Sequence, residues 1–285
     1  MFKEFAVEPE AITNSYRDFA YVVEKFGVPE GRWISKFPKT WKALVYESAK
    51  AKLSGTKELA KIEERLRRVA DDILLASGRF PTDNKAKWID AAVLEHRKRP
   101  FDGIVATAGR VDPPVVALSD LDGEHPCLAS NRQWIVARIA GDMASCCTPL
   151  LRTSRHIKLI DPHLDLTAAR FRRPFEALLA GVNAGSTVDL FRGNNVPVAY
   201  AIQQYGPRIA ALRPQGVRVR LFLRPQDPLH NRYVLTNRGG VAFLTGLDDA
   251  DGGAKTHDDV FVLDIATWQA RWASYSGEDP IAEWT

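Results

Sequence analysis

A histidine and an arginine two positions apart, His230 and Arg232, are the pair in this 285-residue chain best suited to phosphate chemistry. Side chains at positions i and i+2 of a β-strand point to the same face, so both would meet one ligand. A guanidinium neutralises and orients phosphate oxygens through its planar set of donors, while an imidazole can act as a nucleophile or as an acid and base. The pair predicts a site that binds or attacks phosphate.

The sequence around the pair predicts elements that would position it. Residues 217–223 are typical of a strand, and residues 224–228 form a loop with two prolines. After the pair, Gly239 and Gly240 indicate a turn into a further strand. His230 and Arg232 are therefore expected where a loop enters a strand.

Residues 229–249 resemble the HKD motif of the phospholipase D superfamily, His-x-Lys-x4-Asp followed by a glycine-containing strand. His230 matches the nucleophilic histidine, Arg232 stands where most members have lysine, and Asn237 stands where they have aspartate. Some relatives combine His-x-Arg with a later Gly-Leu-Asp, which residues 246–248 repeat. One of these relatives is the phospholipase-D-like domain at the C-terminus of MIT-domain proteins, which looks like a lipid-binding module.

The resemblance implies an enzyme without a metal or other cofactor, in which His230 forms a phosphohistidine and Arg232 binds the phosphate. Asn237, Thr245 and Asp248 would then surround these two residues. The implied substrate is a phosphodiester, DNA or RNA in a basic protein of this kind, with bacterial defence against foreign DNA as one setting. The alternative is an inactive module that binds nucleic-acid phosphates or anionic membrane lipids, and a third possibility is a scaffold that has lost the site.

The number of motifs in the chain bears on assembly. Superfamily members normally bring two motifs together across one site, whereas this sequence contains one. The resemblance therefore implies either a homodimer or a degenerate second half supplied from within the chain.

The composition is that of an ordinary globular protein, with 45% apolar and 26% charged residues. No apolar run approaches the roughly 20 residues of a membrane span, and the first residues lack the apolar core of a secretion signal, so a cytoplasmic protein is expected. Three cysteines provide neither a disulfide framework nor metal-ligand spacing. Residues 1–100 hold 20 Lys and Arg against 15 Asp and Glu, which either attracts a polyanion or covers a solvated helical surface.

Three regions are predicted along the chain: a helical N-terminal domain (1–100), a linker with a connecting helix (101–153), and a phospholipase-D-like domain (154–285). Apolar residues at helical spacing predict helices over 56–77, 84–97 and 130–151. Residues 31–46 interleave aromatic residues with Lys and Arg. Their aromatic side chains either stack on single-stranded nucleic acid or, as the spacing favours, form core.

Strands alternate with helices from residue 155 onward, which predicts βαβ units and a largely parallel sheet. The predicted fold class is α/β: a phospholipase-D-like mixed sheet flanked by helices, after a mainly helical N-terminal region. Asp161, His163 and Asp165 follow the first of these strands, at the strand end where α/β sheets bind ligands. Their types would suit a metal, but Asp161 is interpreted as a structural or rim residue and His163 as an additional site candidate.

Overall fold

The computed structural model of the protein describes residues 2–69, 73–81, 86–111, 115–129, 132–225, 232–253 and 255–285. The chain divides into two compact units, residues 2–131 and 132–285. Within the described residues, each unit is built on its own sheet, and eight α-helices accompany the two sheets. The predicted mixed α/β class is confirmed.

The N-terminal unit is organised around a five-stranded sheet in which every strand pair is parallel. Its elements are β1 (Lys3–Val7), α1 (Tyr16–Lys25), β2 (Arg32–Ser35), α2 (Trp41–Leu53), α3 (Lys57–Arg68), β3 (Leu74–Leu75), α4 (Trp88–Lys98), β4 (Gly103–Ala106) and β5 (Val115–Ala117). The strand order is β3-β2-β1-β4-β5. Helices mostly connect successive strands, as the parallel pairing requires.

This sheet corrects the expectation of a mainly helical N-terminal region. Its strands have two to five residues and are largely buried, so they read as short apolar runs without alternation. The predicted helix over 56–77 ends at Arg68, and its apolar continuation forms β3. Residues 101–129, expected to begin a linker, contribute β4 and β5 to the same unit.

The aromatic residues of the 31–46 block belong to the core of this unit. Trp33, Phe37 and Trp41 have no exposed surface. The Trp41 indole N–H also donates to the Val7 carbonyl at 2.7 Å. The interpretation of these rings as core therefore holds, and they offer no stacking surface.

The C-terminal unit is organised around an eight-stranded mixed sheet with the order β13-β9-β8-β7-β10-β11-β12-β6. Its elements are β6 (Gln133–Ala137), α5 (Ala140–Thr153), β7 (His156–Ile160), α6 (Ala169–Leu179), β8 (Thr187–Gly193), α7 (Val198–Leu212), β9 (Arg218–Arg224), β10 (Arg232–Thr236), β11 (Gly239–Phe243), β12 (His257–Val262), α8 (Ile265–Ser274) and β13 (Ala282–Trp284). Strands β7, β8 and β9 are parallel, as the βαβ pattern predicted. Antiparallel strands extend the sheet on both sides.

The helix predicted over 130–151 is in fact a strand followed by a shorter helix. Residues Gln133–Ala137 form the edge strand β6, and α5 begins at Ala140. Ile135 and Ile139, expected to be buried on one helix face, are 76% and 62% exposed. Several residues of this stretch are apolar, so helical spacing alone did not separate the edge strand from the helix.

A buried lysine joins the sheet to α8. Lys158 on β7 is 1% exposed, and its ammonium donates to the carbonyls of Trp272 and Tyr275 at 3.0 and 2.7 Å and to the Ser276 hydroxyl at 2.6 Å. These carbonyls lie at the end of the helix, where a cation is favoured. Burial lowers the pKa of Lys158 to about 8.

No α-helix within the described ranges combines the length and the apolar character that crossing a membrane requires.

Candidate functional site

Several strands of the C-terminal unit present loops or strand ends at one edge of the sheet. The parallel strands β7 and β8 end there, and the antiparallel strand β10 begins there, since Tyr233 pairs with Ile160. Strand β11 ends at the same edge because Arg232 pairs with Phe243. Strand β6 also ends there, because its last residue pairs with the first residue of β12. Residues far apart in sequence therefore meet at this edge.

Arg232 is the first residue of β10 and is partly buried at this edge. Burial raises the pKa of the neighbouring Asp161 carboxyl, and the charge of Arg232 partly opposes that rise. His230, the predicted nucleophile, lies outside the described residues. The structure thus places the cationic member of the predicted pair.

Asp161 ties two loops of the site together. Its side chain is 1% exposed and accepts the backbone N–H of His163 at 2.8 Å through Oδ1 and that of Leu247 at 2.8 Å through Oδ2. Burial raises the pKa of Asp161, and the two hydrogen bonds partly oppose that rise. A carboxylate committed to two backbone donors positions the loops that follow β7 and β11. Its geometry supports the structural role interpreted for Asp161.

Asp248 is held by two arginines from different elements. Arg138, directly after β6, approaches Asp248 Oδ1 at 2.7 Å, and Arg170 on α6 lies 3.7 Å from Oδ2. Arg138 also donates to the carbonyls of Asp248 and Lys255, both at 3.1 Å. Arg138 is only 7% exposed, so these contacts fix the loop after β11 from inside the protein.

The loop after β11 has further anchors on either side of Asp248. The backbone N–H of Thr245 donates to both carboxylate oxygens of the buried Asp258, at 2.9 and 3.1 Å. Arg173 on α6 donates to Asp249 through two nitrogens at 2.6 and 2.7 Å. These hydrogen bonds hold the backbone of the loop in place and so fix the positions of the side chains that the loop carries.

A cavity of about 240 Å³ lies among these groups. Its cations outnumber its carboxylates, and it is lined by Arg138, Asp161, His163, Arg170, Phe171, Arg232, Thr245 and Asp248. A second cavity of about 350 Å³ shares His163, Arg170 and Phe171 with the first. The two adjoining spaces suit a charged group with an attached substituent.

The second cavity brings in a cation from the end of β8. Arg192 is 3% exposed, and its guanidinium donates to the hydroxyl of Tyr205 and, at 2.7 Å, to Asn195 Oδ1. Burial raises the pKa of Tyr205 to about 12. Arg192, Asn195 and Tyr205 all line the second cavity, so the part of its wall that it does not share with the first cavity carries polar groups.

The structure brings together four of the described residues predicted for the site and separates a fifth. Arg232, Thr245, Asp248 and His163 line the 240 Å³ cavity. Asn237 follows the other end of β10, where its Oδ1 accepts the backbone N–H groups of residues 155 and 156 at 3.0 and 3.1 Å. Asn237 therefore caps the start of β7 at the opposite edge of the sheet.

Three arginines of the two cavities were not found from the sequence. Arg138 was assigned to a helix interior, whereas it follows an edge strand. Arg170 and Arg192 come from α6 and from the end of β8. The available signal was position: Arg192 stands at the carboxyl end of a strand in a parallel group, where ligands gather.

Carboxylates near the site accept hydrogen bonds from residues of the surrounding loops. Asp165 accepts the backbone N–H and the hydroxyl of Thr167, at 2.9 and 2.7 Å. Together with the contacts of Asp161, this makes the Asp161–His163–Asp165 segment a hydrogen-bonded turn. No group of three His, Cys, Asp or Glu among the described residues is arranged to hold a metal ion.

Comparisons with known proteins yield a likeness to solved structures and no match by sequence. No protein-family model matches the chain, and no curated protein matches it significantly. Among solved structures, the chain is similar to a phospholipase D family member, Nuc, from Salmonella typhimurium. The two sequences are 14% identical, the alignment covers 50% of this chain and 93% of that chain, and the TM-score is 0.34.

Proposed function

We propose that the C-terminal unit is a phosphodiesterase that cleaves DNA or RNA at the cavity beside Arg232. The observation that carries the proposal is the meeting of Arg138, Arg170 and Arg232 with His163 around one cavity of about 240 Å³. Guanidinium groups are the preferred side chains for phosphate because their fork of donors matches its oxygens. The HKD-like sequence supplies the candidate nucleophile, His230, two positions before Arg232 in the chain.

In the proposed reaction, an imidazole nitrogen of His230 attacks the phosphorus of the bound diester. The bond to the leaving oxygen breaks, and that oxygen takes a proton from an acid in the site. Water then attacks the phosphohistidine, releasing the phosphate monoester and regenerating the imidazole. The arginines stabilise the negative charge that develops on the phosphoryl oxygens.

The acid for the leaving group has two candidate sources. His163 lines both cavities, which makes it an acid supplied from within the chain. In a homodimer, His230 of a second copy would take that role, because a two-fold interface supplies the missing motif. Light scattering and the activity of His163→Ala separate these sources: a monomer inactivated by that change uses His163, and a dimer unaffected by it uses the second copy.

The decisive experiment is a cleavage assay on single-stranded DNA, double-stranded DNA, RNA and bis(p-nitrophenyl) phosphate in excess EDTA. We expect wild-type turnover to persist in the chelator and His230→Ala to lose it while retaining nucleic-acid affinity, because Arg232 and its neighbours carry ground-state binding. Arg232→Lys should keep much of the binding, whereas Arg232→Ala should lose about 1.5–3 kcal/mol. Arg218→Ala is the matched control, since Arg218 is half exposed on β9 and pairs with Glu283 away from the cavity.

The inactive-module alternative gives a different outcome in the same assay. Wild-type protein would cleave none of the four substrates, yet would bind nucleic acid or anionic vesicles in a manner that Arg232→Ala weakens. That pattern would replace the enzyme with a phosphate-binding module. A role in defence against foreign DNA stays a prediction.

A further inference from the structure

The cavity of about 350 Å³ that adjoins the Arg232 cavity has two tyrosines of α7 in its lining. Tyr205 is 1% exposed and Tyr200, near the start of the helix, is 43% exposed, so the cavity extends from the core to the surface. Pockets that enclose small organic groups typically measure about 300–1,000 Å³. The space is therefore large enough for a ring system that enters from solvent.

The guanidinium of Arg192 builds one wall of this cavity. Its Nε donates to the Gly193 carbonyl at 3.0 Å, one Nη donates to the Tyr205 hydroxyl, and the other donates to Asn195 Oδ1 at 2.7 Å. These bonds use donors on all three nitrogens, so the fork that would grip a phosphate is already engaged by neighbouring groups. Arg192 therefore holds Tyr205 and Asn195 in place rather than presenting an open phosphate site.

The remaining polar groups of the cavity suit the edge of a nucleobase. Because Asn195 Oδ1 accepts from Arg192, the amide Nδ2 is its remaining donor, and that atom bonds no residue that the structure describes. Asp165 adds a carboxylate, whose Oδ1 accepts both hydrogen bonds from Thr167. Amide and carboxylate side chains are groups that read the donors and acceptors of base edges. A second phosphate would instead meet the negative charge of Asp165 here.

Tyr200 gives the cavity a flat ring at its open end. Within the described part of the chain, this ring is in contact with no other aromatic ring and with no cation. Its position in the first turn of α7 fixes its backbone, since that helix is anchored by the buried side chains of Ala201, Tyr205 and Ile209. Bases of single-stranded nucleic acid stack on aromatic side chains presented in this way.

Arg170 connects the two cavities, because it lines both of them. Its ion pair with Asp248 measures 3.7 Å, which is longer than a hydrogen bond, and its side chain is half exposed. A phosphate held between Arg170 and Arg232 in the first cavity would thus carry its nucleoside toward the second.

We propose that the 350 Å³ cavity holds the base of the nucleotide whose phosphate lies in the Arg232 cavity, stacked on Tyr200 and hydrogen-bonded by Asn195. This assignment rests on the proposed function, which places the phosphate beside Arg232. A base in a duplex is paired and stacked, so it reaches a concave site only by leaving the helix. The substrate class is therefore single-stranded nucleic acid.

Calorimetric titration of the full chain with deoxyadenosine monophosphate and with deoxyribose phosphate tests the base pocket. Neither ligand is a diester, so the result does not depend on cleavage. We expect the nucleotide to bind about fivefold or more tightly, because stacking on Tyr200 adds to its affinity. Tyr200→Ala should remove most of this difference, and Tyr200→Phe should keep it. Ile202→Ala is the matched control: Ile202 is exposed on α7 but does not line the cavity, so the difference should persist.

Fluorescence anisotropy with the His230→Ala variant tests the substrate class. A labelled oligonucleotide should bind at least about tenfold more tightly as a single strand than when annealed to its complement, because the duplex must first release a base. Three results would overturn the proposal: equal affinity for the nucleotide and deoxyribose phosphate, a preference for the nucleotide that Tyr200→Ala leaves intact, or equal affinity for single strand and duplex. Failure of the phosphodiesterase proposal looks different, since the EDTA assay would then show no cleavage while both binding differences remain.

Discussion

Gly246 lies where the loop after β11 passes two carboxylates, and its replacement by alanine tests how closely that loop is packed. A β-carbon at this position would stand 2.5 Å from Asp248 Oδ1 and 3.4 Å from Asp161 Oδ2. Ordinary contacts begin near 3.4 Å, so the Asp248 carboxylate would have to withdraw by roughly 1 Å. Asp248 Oδ1 lies 2.7 Å from the Arg138 guanidinium, and such a shift disrupts this ion pair.

The expected magnitude follows from these contacts. Overpacking a well-filled site costs about 1–3 kcal/mol, so Gly246→Ala should lower the free energy of unfolding by that amount. The upper part of the range is expected because Arg138 is only 7% exposed and would lose its carboxylate partner inside the protein, keeping only its hydrogen bonds to backbone carbonyls. Phosphate affinity should fall as well, since Arg138 and Asp248 both line the cavity and the ion pair would no longer hold their side chains in place.

Urea denaturation followed by circular dichroism measures the stability change, and titration with orthophosphate measures the binding change. Gly141→Ala is the matched control: Gly141 is the second residue of α5, and a β-carbon there meets nothing within 4 Å. That control should be neutral or stabilising by up to about 1 kcal/mol, since alanine favours helix. If Gly246→Ala unfolds at the same urea concentration as wild type, the loop relaxes freely and the reasoning about its packing is refuted.

Three further predictions concern residues around the site and the sheet. Asp161→Ala should cost about 1–3 kcal/mol for each of the two backbone N–H groups it strands, and a urea midpoint close to wild type would contradict this. Lys158 has a pKa of about 8 when folded against an ordinary 10.5, so the unfolded chain binds more protons between these values. The free energy of unfolding should therefore rise with pH across that window, by roughly 3 kcal/mol, and Lys158→Met should flatten the rise. Asn237→Ala should lower the free energy of unfolding by about 1 kcal/mol and leave phosphate binding unchanged, because Asn237 bonds the start of β7 at the end of the sheet opposite the cavity. Weaker phosphate binding by this variant would show that Asn237 belongs to the site.

The parts of the fold that the sequence predicted are those with a clear period. Strands of five to seven residues separated by amphipathic helices identified β7, β8 and β9 and their parallel order. The N-terminal sheet was missed because strands such as Leu74–Leu75 are too short to show a period. A continuous apolar stretch that ends in such a strand satisfies a helical pattern as well.

The candidate site was predicted only where its residues were close in sequence. Arg232, Thr245 and Asp248 lie near the motif, and the structure brings them to one cavity. Asn237 was assigned to the site by motif spacing, but five residues of extended strand carry it to the other end of β10. Arg138 lies far upstream, and its arrival depends on how β6 pairs. Long-range pairing of this kind leaves no local signal in the sequence.

The pairing of β6 with β12 also shapes the order in which the C-terminal unit can be completed. Ala137 pairs with His257, 120 positions later, whereas β10 and β11 join through a tight hairpin. Closing a long loop costs more chain entropy than closing a hairpin, and contacts distant in sequence form slowly. Strand β6 is therefore expected to join the sheet late, and Arg138 joins the cavity with it. Ligand binding followed during refolding would then lag behind the recovery of secondary structure, and its rate would report the closure of this longest connection.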